Sequence, residues 1–142
     1  MLMTNAKILV ALFLATLLAA SPATATEQCH INEAAITQAG GYGNAVEAAV
    51  KAAPDCERAF KTLDACQLGS SWDNALSEIV RAKCEPLFIG KASAGTMKAY
   101  KRKQAGCAQI AKKNEGTMYM GLAAVCQARA ARDFARKYAK GR

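Results

Sequence analysis

The last third of the chain predicts a helical hairpin with one cysteine on each arm. The first arm spans about residues 95–113 and the second about residues 118–140, with a turn at residues 114–116 between them. At about 1.5 Å of rise per residue, Cys107 and Cys126 lie roughly 10 and 14 Å from that turn. Cysteines at similar heights on antiparallel helices are well placed for a disulfide, so this pair constrains the fold more than any other feature.

The first 25 residues have the layout of a secretory signal peptide. Lys7 precedes an apolar run that ends near Ala20, and the small-residue pattern Ala23-Thr24-Ala25 follows. We expect cleavage after Ala25, leaving residues 26–142 as a single helical domain without a transmembrane segment, either periplasmic or secreted. An oxidising compartment favours disulfides among the six cysteines that remain.

The pairing of the other four cysteines is left open by the sequence. Cys56 and Cys66 are ten residues apart on one predicted helix, about 15 Å, which is too far for a bond. If the hairpin pair forms, the remaining choices are Cys29–Cys56 with Cys66–Cys84, or Cys29–Cys66 with Cys56–Cys84.

Helical periodicity dominates the chain. Alanine is abundant, and no segment alternates apolar and polar residues with β-branched enrichment. Before the hairpin we predict helices over residues 29–38, 45–52, 56–68 and 72–83, a turn over the glycine-rich residues 40–43, and a core-filling connection over residues 87–90. The expected N-caps are Asn44, Asp55, and Ser70 or Ser71. The sequence therefore predicts an all-α, disulfide-stapled domain that ends in a long antiparallel helical hairpin.

Charge is distributed very unevenly along the chain. The formal net charge is +8. Residues 26–90, the acidic half, hold five basic and nine acidic side chains, whereas residues 91–142, the basic hairpin, hold 13 basic and two acidic ones. Such an asymmetry indicates attraction to an anionic partner, although a solvated basic face that keeps the protein soluble has the same composition.

Basic side chains fall on one face of each hairpin arm, and apolar ones on the other. We expect the basic positions to point outward and to form one binding patch. Its candidate residues are Lys98, Lys101, Arg102, Arg129, Arg132 and Arg136. For an exported protein, an anionic envelope polymer or lipid is the expected target, and nucleic acid is not.

Little in the sequence indicates catalysis or metal binding. His30 is the only histidine, and its setting is typical of a surface residue. Neither a CxxC pair nor zinc-like ligand spacing occurs. Met118 and Met120 point about 160° apart on a helix, which disfavours a thioether copper site. We expect a protein that is not an enzyme and needs no metal or cofactor.

Three strings of the hairpin resemble a known family. They are YKRKQAGC (residues 100–107), NEGTMY (114–119) and AAVCQARAARDFARKY (123–138). They are similar to the LprI-type lysozyme-inhibitor-like family of small exported helical domains, mainly over residues 96–140. The resemblance implies a Cys107–Cys126 pair and a non-enzymatic envelope protein that occludes a protein partner such as lysozyme.

Many animal lysozymes are strongly basic, so such a partner would have to meet the acidic half. The acidic residues expected to supply that surface are Glu47, Asp55, Glu57, Asp64, Asp73, Glu78 and Glu85.

Overall fold

The computed structural model describes residues 28–140, and the regular elements in that part are all helices. The α-helices are α1 (Glu33–Ala39), α2 (Tyr42–Ala52), α3 (Cys56–Cys66), α4 (Trp72–Cys84), α5 (Ala94–Lys113) and α6 (Thr117–Lys140), with a short 3-10 helix (Glu85–Leu87) after α4. The predicted all-α class is confirmed. The predicted signal peptide, residues 1–25, lies outside the described residues.

Helix α6 is the centre of the fold. Helices α3, α4 and α5 and the 3-10 helix all pack against it. Its buried side chains are nearly all small, which lets the neighbouring helices approach closely: Ala123, Val125, Ala128, Ala130, Ala131 and Ala135. Helix α5 packs along α6 and also contacts the 3-10 helix, through the hydrogen bond from Tyr100 to Glu85. Its opposite side faces solvent.

The larger core side chains come from α2, α3 and α4. They are Val46, Val50, Phe60, Leu63, Leu76 and Val80, each at most 2% exposed. Phe88 extends this core toward the hairpin, because its ring centroid lies 5.0 Å from that of Tyr100 and 5.8 Å from that of Phe134. Only Phe88 of the predicted core-filling connection is buried, whereas Leu87 and Ile89 are exposed.

Three disulfides hold the helices together. They are Cys29–Cys66, Cys56–Cys84 and Cys107–Cys126, so the structure has the second of the two pairings that the sequence left open. Because α3 and α4 are joined by a short loop, Cys56 at the start of α3 and Cys84 at the end of α4 lie at the same end of the pair.

The glycine-rich segment was only partly predicted. Gly40 and Gly41 form the expected turn with φ of 73° and 142°, but α2 begins at Tyr42, so Gly43 lies inside the helix. The prediction that Asn44 caps α2 is wrong, since its side-chain amide donates to the backbone oxygen of Ala39. A Cβ at Gly43 would lie 3.2 Å from the indole of Trp72, and this close packing explains a glycine within a helix.

A buried carboxylate organises the loop between α3 and α4. Asp73, 1% exposed, accepts hydrogen bonds from the backbone N–H groups of Leu68, Gly69 and Ser70 at 2.8, 2.8 and 3.4 Å. These bonds turn the chain away from helical geometry after Cys66, two residues earlier than predicted. They also satisfy the carboxylate, whose burial would otherwise be costly.

Candidate functional site

The six basic residues predicted as one patch separate into two groups. Lys98, Lys101 and Arg102 lie on the solvent side of α5 and are exposed. Arg129, Arg132 and Arg136 of α6 instead face α3, where each lies against a carboxylate.

The α6 arginines join the two halves of the chain. Arg129 donates to Asp64 at 2.6 Å, and Arg132 donates to Glu57 at 3.3 Å. Arg136 Nε lies 3.7 Å from the second oxygen of Glu57. The guanidinium of Arg132 also stacks on Phe60, and its side chain is only 14% exposed.

The expectation that these arginines point outward is wrong for Arg132, whose side chain is 14% exposed. Arg129 and Arg136 remain half-exposed while they pair with carboxylates of α3. A helical wheel identifies their common face correctly but cannot say which neighbour covers it. Here α3 covers the face at Arg132 and pairs with its two half-exposed neighbours, because its carboxylates complement the arginine charges and Phe60 offers an aromatic surface to a guanidinium.

The seven acidic residues expected to meet a basic lysozyme all have partners within the chain. Six lie within 3.9 Å of an arginine or lysine nitrogen: Glu47, Asp55, Glu57, Asp64, Glu78 and Glu85. The seventh, Asp73, is buried in its backbone hydrogen bonds. The acidic half thus presents carboxylates that are already largely neutralised by the protein's own cations.

The outer face of α5 has the opposite character. It is a continuous exposed stripe of cations and small or polar residues: Ala94, Lys98, Lys101, Arg102, Ala105, Gln109, Lys112 and Lys113. Within residues 28–140, no carboxylate lies within ion-pairing distance of its five cations. At about 1.5 Å per residue the stripe is about 30 Å long.

Helix stability does not account for the first three of these cations. Lys112 and Lys113 stand in the last turn of α5, where cations interact favourably with the helix dipole. Lys98, Lys101 and Arg102 stand in its first half, and α5 has no acidic residue to pair with them along the helix. Their mutual repulsion is a cost that an anionic ligand would relieve.

A shallow depression lies on the same face. Its volume is about 560 Å³, and it is lined by Ala94, Met97, Lys98, Lys101, Arg102 and Ala105. The alanines keep the surface low between the cations, so an extended anionic polymer or a flat anionic surface can contact several of them at once.

The remaining sequence candidates lie elsewhere. His30 is exposed near the N-terminal end of the described chain, and Met118 and Met120 are 47% and 50% exposed. In the described part of the chain, no three His, Cys, Asp or Glu side chains gather as metal ligands would. None of its helices combines the length and apolar character needed to cross a bilayer.

One exposed aromatic pair was missed by the sequence reasoning. Trp72 is 41% exposed and lies flat over Gly43, while Tyr42 is 38% exposed and donates to the disulfide sulfur of Cys29 at 3.1 Å. Gly43 could have indicated this packing, because a glycine allows a neighbouring ring to approach the backbone closely. The sequence analysis assigned it to a turn instead.

Comparison with known proteins adds no relative. No family model matches the chain, and neither a curated protein nor a solved structure matches it. The resemblance to lysozyme-inhibitor-like proteins therefore stays a prediction.

Proposed function

We propose that this protein is a non-enzymatic, exported binding protein that docks an anionic component of the cell envelope on the outer face of α5. The observation that carries the proposal is the contrast between the two groups of cations. The arginines of α6 are paired with carboxylates of α3, whereas the five cations on the outer face of α5 have no such partner among the described residues.

The chemistry of this face favours a polyanion over a single small anion. Its cations are spread over about 23 Å, from Lys98 to Lys113, a distance that only an extended polymer or a lipid surface can follow. At physiological ionic strength the screening length is about 8 Å, so binding depends on several close contacts made together.

Vesicles that contain an anionic phospholipid provide the test. Lys98→Glu with Lys101→Glu removes two cations from the outer face, and Lys51→Glu with Lys91→Glu makes the same change in net charge elsewhere on the surface. Since a basic side chain close to an anionic membrane contributes about 1 kcal/mol, the first pair should weaken binding at least about thirtyfold. The control pair should change it by much less.

Salt dependence and a neutral surface complete this experiment. Binding should weaken steeply as salt rises and should be absent with vesicles of neutral lipid. Equal loss of binding in the two paired variants would mean that net charge alone matters, and the outer face would then have no special role. Binding that ignores salt would also refute the proposal.

A protein partner of the lysozyme type is the second candidate, and the exposed pair of Tyr42 and Trp72 favours it. Tryptophan and tyrosine are enriched among the residues that dominate binding energy at protein interfaces. The internally paired carboxylates argue against docking through the acidic half. If occlusion occurs, Trp72→Ala should relieve inhibition in a turbidity assay, and no inhibition at micromolar protein would exclude this function.

A further inference from the structure

A second cavity lies between the arms of the hairpin, on a surface distinct from the outer face of α5. It is a half-open groove of about 520 Å³. Its apolar residues are Ala99 of α5 and Ala130 and Phe134 of α6. Because Ala99 and Ala130 have short side chains, the space above the Phe134 ring stays open.

The floor of the groove is fixed by the core. The Phe134 ring packs against Tyr100 and Phe88, with ring centroids 5.2 and 5.8 Å apart. Tyr100 is itself held by a 2.6 Å hydrogen bond from its hydroxyl to Glu85. The apolar surface is therefore preformed, which lowers the ordering cost of binding.

The arms are also clamped beside the groove. The side-chain amide of Gln104 donates to the backbone oxygen of Gln127 at 3.0 Å, and that of Gln127 donates to the oxygen of Gln104 at 3.4 Å. One helical turn further along α5, the Cys107–Cys126 disulfide joins the same two helices. The end of the groove next to Lys103 is thus held at a fixed width.

The rim of the groove is cationic. Lys103 and Lys137 line it from α5 and α6, and the Lys137 ammonium lies 5.9 Å from the centre of the Phe134 ring. Neither lysine has a carboxylate partner within residues 28–140. The acidic residue of the rim, Asp133, lies 3.0 Å from Arg132 Nε, and Arg136 adds a third cation to the lining, so cations outnumber carboxylates there.

We infer that this groove binds a single-chain anionic amphiphile, with its alkyl chain over Phe134 and its anionic group at a rim lysine. Along α6 the lining runs from Ala130 to Lys137, about 10 Å, which suits a medium-length alkyl chain. The apolar floor selects against small inorganic anions, and the unpaired lysines select against neutral chains.

Decanoate is the probe, with titration calorimetry for affinity and amide NMR shifts for location. We expect one decanoate per disulfide-bonded protein, with shifts concentrated around Ala99, Ala130 and Phe134. Ala99→Leu fills the groove and should weaken binding at least tenfold. Lys103→Ala with Lys137→Ala should weaken it about tenfold, while decanol should bind the parent protein more weakly than decanoate does.

The matched control is Lys98→Ala with Lys101→Ala, which removes the same charge from the outer face of α5. It should change decanoate affinity less than twofold, and circular dichroism should be the same for all variants. The inference is overturned if decanoate fails to bind, if Ala99→Leu binds as tightly as the parent, or if the control pair weakens binding as much as the rim pair. Equal affinity for decanol would overturn the assignment of an anionic ligand.

Discussion

The guanidinium carbon of Arg132 lies 4.3 Å from the centre of the Phe60 ring. The stack is completed by Glu57, which accepts a hydrogen bond from the same guanidinium. Arg132, which the sequence pattern assigns to a solvent-exposed basic face, therefore forms a contact between α6 and α3.

The Arg132 contact should be important for stability. Arg132→Ala removes a stacked, largely buried guanidinium and leaves Glu57 with a weaker partner, so we expect a loss of about 2 kcal/mol in the free energy of unfolding. Arg102→Ala, on the exposed face of α5, is the control and should change stability by less than about 0.5 kcal/mol. Urea denaturation of both variants tests this, and equal losses would contradict a structural role for Arg132.

Gly121 allows α6 to approach the loop before α4. A Cβ at this position would lie 2.5 Å from the backbone oxygen of Ser70, which cannot move aside easily. We therefore expect Gly121→Ala to destabilise the protein by about 1–3 kcal/mol.

Gly106→Ala provides the matched control for this prediction. Gly106 is also inside a helix, but nothing lies within 4 Å of the position of its Cβ. Because alanine is the better helix former, this change should stabilise the protein by about 0.5–1 kcal/mol. Thermal unfolding should shift in opposite directions for the two variants, and a shift in the same direction would argue against the close approach at Gly121.

All six cysteines should be oxidised to disulfides. Intact mass should correspond to the loss of two hydrogens for each of the three bonds, and non-reducing digests should link the pairs Cys29–Cys66, Cys56–Cys84 and Cys107–Cys126. Replacing Cys107 and Cys126 by alanine opens a loop with a sequence separation of 19 and should cost about 3 kcal/mol in the chain-entropy model. Free thiols at both positions in protein produced in an oxidising compartment would contradict the fold.

Because of Tyr100, we expect the free energy of unfolding to fall at alkaline pH. Burial raises the pKa of its phenol, and so does the Glu85 carboxylate that accepts its hydrogen bond. Because the folded pKa lies above the unfolded value of about 10, the stabilisation is complete below about pH 10 and is lost as pH rises through the folded pKa.

Tyr100→Phe isolates the contribution of the phenol from the other effects of alkaline pH. At neutral pH the variant should be less stable by about 1–2 kcal/mol, since a hydrogen bond to a carboxylate is lost. Its free energy of unfolding should then fall less than that of the parent as pH rises above about 10. Parallel pH profiles for the two proteins would show that the phenol does not titrate with unfolding.

Much of the local structure was readable from the sequence. Asp55 caps α3 by accepting from the backbone N–H of Arg58, and the turn between α5 and α6 lies where the Asn114–Gly116 string places it. The Cys56–Cys84 pair could also have been predicted. Each cysteine lies about a dozen residues from the loop between α3 and α4, so the height argument applied to the hairpin would have favoured it.

What the sequence determined by itself was the helical class, the hairpin and the separation of charge along the chain. Helical periodicity and capping are local properties, so neighbouring residues in the sequence determine them. Which basic face stays free was decided only by tertiary structure. Helix α6 became the centre, its arginines met Glu57, Asp64 and Phe60 of α3, and α5 was left with one side in solvent. A periodic pattern gives the direction of a face, but the neighbour that covers it is fixed by long-range packing and charge complementarity.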